Sequence, residues 1–141
     1  MPMGPAPLGF AYFVGIEFIG YSCAAVLLKK VYVASSYNPM KVGAIRTAIG
    51  IGAGLAYGMI WMLYSQSHTQ RSDTVLYLYF AGLFPVRIVE WLFLIHLYFD
   101  HRLTNKDKAV GAAIGGTIWS YCLDAIGVGA ALVIPGGIWV C

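Results

Sequence analysis

Charge is what this sequence has least of. Only 11% of its 141 residues are Asp, Glu, Lys or Arg, against about 25% in an ordinary soluble domain. Hydrophobic residues reach 60%, where about 45–50% is usual. A disordered chain needs the opposite balance, low hydrophobicity with high net charge, and is excluded. A nucleic-acid-binding domain needs a basic stripe. Here nine Lys and Arg give a net charge of +3, and most of them stand where apolar runs end. An ordinary soluble enzyme is excluded by the same composition. Cysteine is also scarce: Cys23, Cys122 and Cys141 make no CxxC pair and no His/Cys ligand spacing, so neither a disulfide framework nor a zinc site is expected. No metal and no cofactor is expected. Of the few histidines only His96 falls within an apolar run, whereas bis-histidine haem needs two that face each other. The opening Met1-Pro2-Met3-Gly4-Pro5 has no basic segment of the signal-peptide kind, so the first apolar stretch is expected to remain in the mature protein.

What is present is four long apolar runs. A membrane-spanning helix needs roughly 20 mainly apolar residues, because the hydrocarbon layer is about 30 Å thick and each residue rises about 1.5 Å. The runs cover about 8–28, 42–64, 74–99 and 109–134. Lys29-Lys30 ends the first, Ser35-Ser36-Tyr37-Asn38-Pro39 turns into the second, and Pro135-Gly136-Gly137 stops the fourth. The expectation is an all-α fold: a single transmembrane domain over 1–141, an integral bundle of four helices with short loops, whose main partner is the lipid bilayer. Lys29, Lys30, Lys41, Arg102, Lys106 and Lys108 flank the first and third loops, whereas the second has only Arg71. Positive loops stay inside, so both termini are expected outside in a cell inner (cytoplasmic) membrane. Tyr12, Trp61, Tyr64, Tyr77, Tyr79, Tyr98 and Trp139 lie near run ends, where amphipathic rings meet headgroups.

Glycine recurs at spacing four: Gly50, Gly54 and Gly58 in the second run, Gly111 and Gly115 in the fourth. Such stripes let helix backbones approach closely. They serve either packing within one chain or a seam between copies, and the Gly50/Gly54/Gly58 face is the candidate seam of a homo-oligomer. No internal repeat is evident.

The few charges inside the runs carry the functional signal. Glu17, Arg46, Arg87, Glu90 and Asp124 would each cost at least about 2.5–3.5 kcal/mol facing lipid, so they should face inward and pair. Counted from the end of each run away from the lysines, Glu17 and Asp124 lie roughly 14–15 Å deep and Arg87 roughly 20 Å. Glu90 and Arg46 lie deeper, roughly 24–27 Å. Two layers follow, joined by the third helix, since Arg87 and Glu90 are three apart and share a face. Glu17 shares its face with Phe13, Gly20, Tyr21 and Ala24. Asp124 shares its own with Ala113, Thr117, Ser120, Tyr121, Gly127 and Ala131. Leu83, Trp91, Leu94 and Tyr98 accompany Arg87 and Glu90, and His96 falls nearly opposite. Pro85 frees the carbonyl of Ala81 and should kink the helix beside Arg87, which is tolerated at that depth only against protein or a wet cavity.

Three acids against two arginines leave one carboxyl in excess, with Glu17 and Asp124 the candidates. A network built only to fix helix register has little reason to carry an unmatched acid. The leading expectation is therefore a homo-oligomeric, proton-linked transporter or channel for a small polar or charged solute. An alternative is an enzyme acting on a lipid, with Arg87 and Arg46 clamping a phosphate or carboxylate, Asp124 or Glu17 as acid or base, and Ser120 or Cys23 as nucleophile. A third is an accessory subunit whose charges pair with a larger complex.

Overall fold

The computed structural model describes residues 7–32, 37–66 and 72–131. They form four helices: α1 (Pro7–Val31), α2 (Pro39–Gln66), α3 (Ser72–Tyr98) and α4 (Lys106–Ala131). All four are long and apolar enough to cross a membrane, and the chain is read from that composition as a multi-pass membrane protein. Every described end lies within about three residues of its expected place. The end expected for α4, with Pro135-Gly136-Gly137, lies outside the described residues, as do Arg71 and Trp139.

Local chemistry sets the starts and stops. Asn38 accepts the Met40 amide on its Oδ1 at 3.0 Å and Pro39 follows it, a side-chain cap with proline at the first helical position. Asn105 caps α4 in the same way, through the Lys108 amide at 3.0 Å. The Lys108 ammonium donates at 2.7 Å to the carbonyl of Val31, one of the acceptors that the last turn of α1 leaves open. That contact ties the start of α4 to the end of α1.

The helices form a ring in chain order. α1 lies beside α2 and α4, and α3 beside the same two, with no close backbone approach across either diagonal among the described residues. The glycines that make room for these contacts are mostly not those of the two stripes. Gly20 lies against Leu123, Gly43 against the backbone of Ser22, Gly82 under the Tyr57 ring and Gly116 against the Trp91 indole. Gly50 lies beside the guanidinium of Arg46, while Gly58, Gly111 and Gly115 face open space. Packing inside the chain is thus not what these last three glycines serve.

Burial divides the bundle lengthwise. Towards the lysine-bearing end, Ala24, Ala25, Leu28 and Tyr32 of α1 and its following turn meet Val42, Trp91, Leu94, Ile95, Ala109 and Ala113 in one apolar cluster. Towards the far end the buried apolar side chains among the described residues are Phe13 and Leu83. Rings hold the α2–α3 seam there: Tyr57 lies 6.2 Å from Trp61 and 5.2 Å from Tyr79, and Trp61 lies 5.8 Å from Tyr79. The charged residues sit where the two halves meet.

Candidate functional site

Each helix contributes to the cluster through the face that its periodicity sets. Glu17, Arg46, Arg87, Glu90 and Asp124 are all buried, Glu17 and Arg46 completely. The third helix divides its two charges between its neighbours. Arg87 Nη2 donates to Asp124 Oδ2 on α4 at 2.6 Å, and Glu90 Oε2 stands 2.7 Å from Arg46 Nη2 on α2. The two pairs differ in quality. The first is a directed, charge-assisted hydrogen bond, whereas in the second the Arg46 N–H does not aim at the oxygen, so charge alone holds it.

Arg46 makes up for this with rings. Its guanidinium carbon lies 4.7 Å from the centre of the Tyr21 ring and 5.1 Å from that of Trp91, within reach of an attractive cation–π contact. Arg87 lies 5.9 Å from the centre of the Tyr121 ring.

Tyr21 is the hub. Its oxygen accepts from Arg87 Nη1 at 3.1 Å and stands 3.3 Å from both Glu17 Oε1 and Ser120 Oγ. Ser120 Oγ in turn accepts from Trp91 Nε1 at 3.1 Å, and the Tyr21 and Trp91 rings meet edge to face at 5.9 Å. A phenol has one proton to give, so Tyr21 donates to Glu17 or to Ser120 at any moment. An ionised Glu17 takes that proton's bond. A protonated Glu17 can donate to the Tyr21 oxygen instead, which turns the phenol towards Ser120. The protonation of one acid on α1 is thereby readable on α4.

The surplus carboxyl is Glu17. Asp124 is tied to Arg87 and Glu90 faces Arg46, while Glu17 has no arginine within ion-pair distance among the described residues; one oxygen of each of the three acids has no hydrogen-bond partner there. Of the two acids that charge counting nominates, the structure leaves Glu17 over.

The α3 backbone just before the carbonyl that Pro85 frees is bonded from both sides. Tyr57 of α2 donates to the Tyr79 carbonyl at 3.0 Å and Tyr121 of α4 to the Phe80 carbonyl at 3.1 Å, adjacent to the Ala81 carbonyl that proline releases. α3 continues as a helix through Pro85.

His96 is exposed, with its ring 6.2 Å from that of His101, and takes no part in the cluster. Cys23 is exposed as well, which removes it as a partner of these acids. Among the described residues no group of three His, Cys, Asp or Glu could hold a metal ion. Charge reasoning did not single out Tyr21, Trp91 and Ser120. The helical period places them on the faces of Glu17, Arg87 and Asp124, and Ser120 is also an expected nucleophile of the enzyme reading, but the spacing does not foretell their bonds to one another. The chain matches no family model, no curated protein and no solved structure.

Proposed function

We propose that this chain is a proton-linked transporter or channel for a small polar or charged solute, working as a homo-oligomer with Glu17 as its proton-binding group. The observation that carries the reading is the pairing pattern. Two arginines and two acids face each other one to one, and a third acid sits completely buried beside them with no arginine paired to it among the described residues. Buried polar groups are normally satisfied, and a leftover carboxyl at membrane depth is a functional-site hypothesis by default. Arg46, Arg87, Glu90 and Asp124 frame it, and Tyr21 passes its state to α4.

Four helices enclose little space, so a pathway calls for at least two copies. The support for α2 as the seam is its exposure: 11% of its most apolar stretch is buried, against 39% in α1. Gly58 on the Gly50/Gly54/Gly58 face has open space before it. The basic loops favour both termini outside in a cytoplasmic membrane. The lipid-enzyme reading has less support, because Arg46 and Arg87 each already face a carboxylate and Ser120 has no histidine bonded to it among the described residues.

The test is proton movement into vesicles carrying the purified chain, followed with an entrapped pH dye as candidate solutes are added. Wild type should show solute-dependent flux, and Glu17→Gln should abolish it with the fold retained. Flux that survives both Glu17→Gln and Asp124→Asn would remove the proposal.

A further inference from the structure

Charge counting around Glu17 goes further than the presence of a proton, and the following rests on the proton-linked reading above. We infer that the solute which competes with the proton at Glu17 is a monovalent organic cation, of the protonated-amine or quaternary-ammonium kind.

The sign comes first. The groups acting on Glu17 from the packed helices are Tyr21 on its own helix, Arg46 on α2, Arg87 on α3 and Asp124 on α4. Glu90 completes the cluster behind Arg46. Three carboxylates and two guanidinia carry one negative charge in excess, which a proton on Glu17 cancels. A cation cancels it equally well. When the cation settles beside Glu17, the carboxyl releases its proton to water and the charge of the buried cluster is unchanged. An anion has no such exchange open to it. It would deepen the excess, or it would have to displace Glu90 or Asp124 and leave a buried carboxylate unpaired, the costlier state. A neutral solute has no reason to compete with a proton at all.

The organic character follows from the lining. Phe13, completely enclosed one turn before Glu17, and Tyr21, one turn after it, flank the carboxyl on the same helix face. A bare metal ion asks for a shell of oxygens, whereas the two neighbours of Glu17 on its own helix face offer an aromatic hydrocarbon face and one phenol that already accepts from Arg87. Rings suit a diffuse organic cation, and this interior already holds one in that manner: Arg46, coated by Tyr21 and Trp91 at 4.7 and 5.1 Å. The unclaimed Glu17 Oε2 is the oxygen that a second cation would meet.

The experiment measures proton release from the purified full chain in weakly buffered detergent solution with a pH dye. The probes are tetramethylammonium and ethylammonium chlorides, sodium chloride, sodium benzoate and acetamide. Wild type should release about one proton per chain on saturation with either ammonium salt, and little with the other three probes. Glu17→Gln should release none, and Glu17→Asp, which keeps the carboxyl if Gln disturbs the fold, should retain the release at altered affinity. Release by benzoate or acetamide in place of the ammonium salts overturns the cation assignment. Release by sodium chloride equal to that by the ammonium salts overturns its organic part. In vesicles the two levels separate. Glu17-dependent proton flux without any ammonium effect sinks the solute class and spares the proton-linked reading, while the absence of Glu17-dependent flux with every probe sinks both.

Discussion

The two ends of this bundle are built on different principles. Towards the lysine-bearing end, aliphatic and aromatic side chains from all four helices interlock around Trp91, Leu94 and Ile95, and Lys108 ties α4 to the last turn of α1. Towards the far end the helices share ring contacts and two tyrosine hydroxyls that reach the Tyr79 and Phe80 carbonyls of α3. Among the described residues fewer apolar side chains are buried at the far end than at the lysine-bearing end, and thinner packing lowers the cost of local opening. The charged cluster occupies the boundary. It is anchored from below by a packed core and meets ring contacts and tyrosine–carbonyl bonds above.

The largest effect that sharpens this contrast is at the boundary itself. Arg87→Ala leaves Asp124 buried without its counter-charge and takes a donor from Tyr21. Removing one partner of a buried pair costs about 3–5 kcal/mol, whereas replacing both with apolar residues is often neutral. Thermal unfolding in detergent should show a large loss for Arg87→Ala and recovery of most of it in Arg87→Met with Asp124→Leu. The double variant should lack proton-linked activity even so. If it were as unstable as the single one, the cluster would be holding the halves together by more than charge balance.

A smaller effect compares the halves with one kind of residue. Gly116→Leu drives a side chain into the Trp91 indole in the packed half, while Gly58→Leu enters open space in the other. Overpacking costs about 1–3 kcal/mol, so the first variant should unfold earlier and the second should match wild type as a monomer. Size-exclusion chromatography with light scattering adds the second reading of Gly58→Leu: a seam through the Gly50/Gly54/Gly58 face predicts smaller assemblies without loss of helix. Equal destabilisation by both variants would erase the distinction between the two halves.

These cases also show what can be read from the chain before its structure. The number of helices and the faces of Glu17, Arg87 and Asp124 were legible, because a charge in an apolar run must turn inward and the helical period then fixes its companions. The division of charges into layers was legible from counting along each run, and the pairs Arg46–Glu90 and Arg87–Asp124 follow that division. Which acid remains over was not, since that depends on which helices are neighbours and how each is rotated. Tyr21 was hidden for another reason: a phenol gives no charge signal, and its importance comes from lying within reach of groups on all three other helices. The glycine stripes were legible only as stripes. In lipid both the core and the outer surface are apolar, so the pattern around α2 or α4 does not say which way a glycine faces.

The smallest expected effect lies in the loop between α3 and α4 and tests whether the packed half owes its stability to side-chain interlocking or to polar bonds at its rim. Asp100 accepts the Thr104 hydroxyl at 2.9 Å and the amides of Thr104 and Arg102 at 2.8 and 3.2 Å. Desolvation pushes its carboxyl up, but these bonds together outweigh it and hold the group below its ordinary value of 3.8. A depressed carboxyl contributes fully above the ordinary value and loses its contribution as pH falls through that value towards the folded one. Amide exchange at Arg102 and Thr104 should therefore stay slow from neutral pH down to mildly acid solution and quicken, after correction for intrinsic rates, in strong acid. Asp100→Ala should show the faster exchange at every pH. Because the carboxyl is open to solvent, neither change should shift thermal unfolding measurably. A shift comparable with that of Gly116→Leu would mean that the rim, and not the apolar cluster beneath it, holds this end of the bundle together.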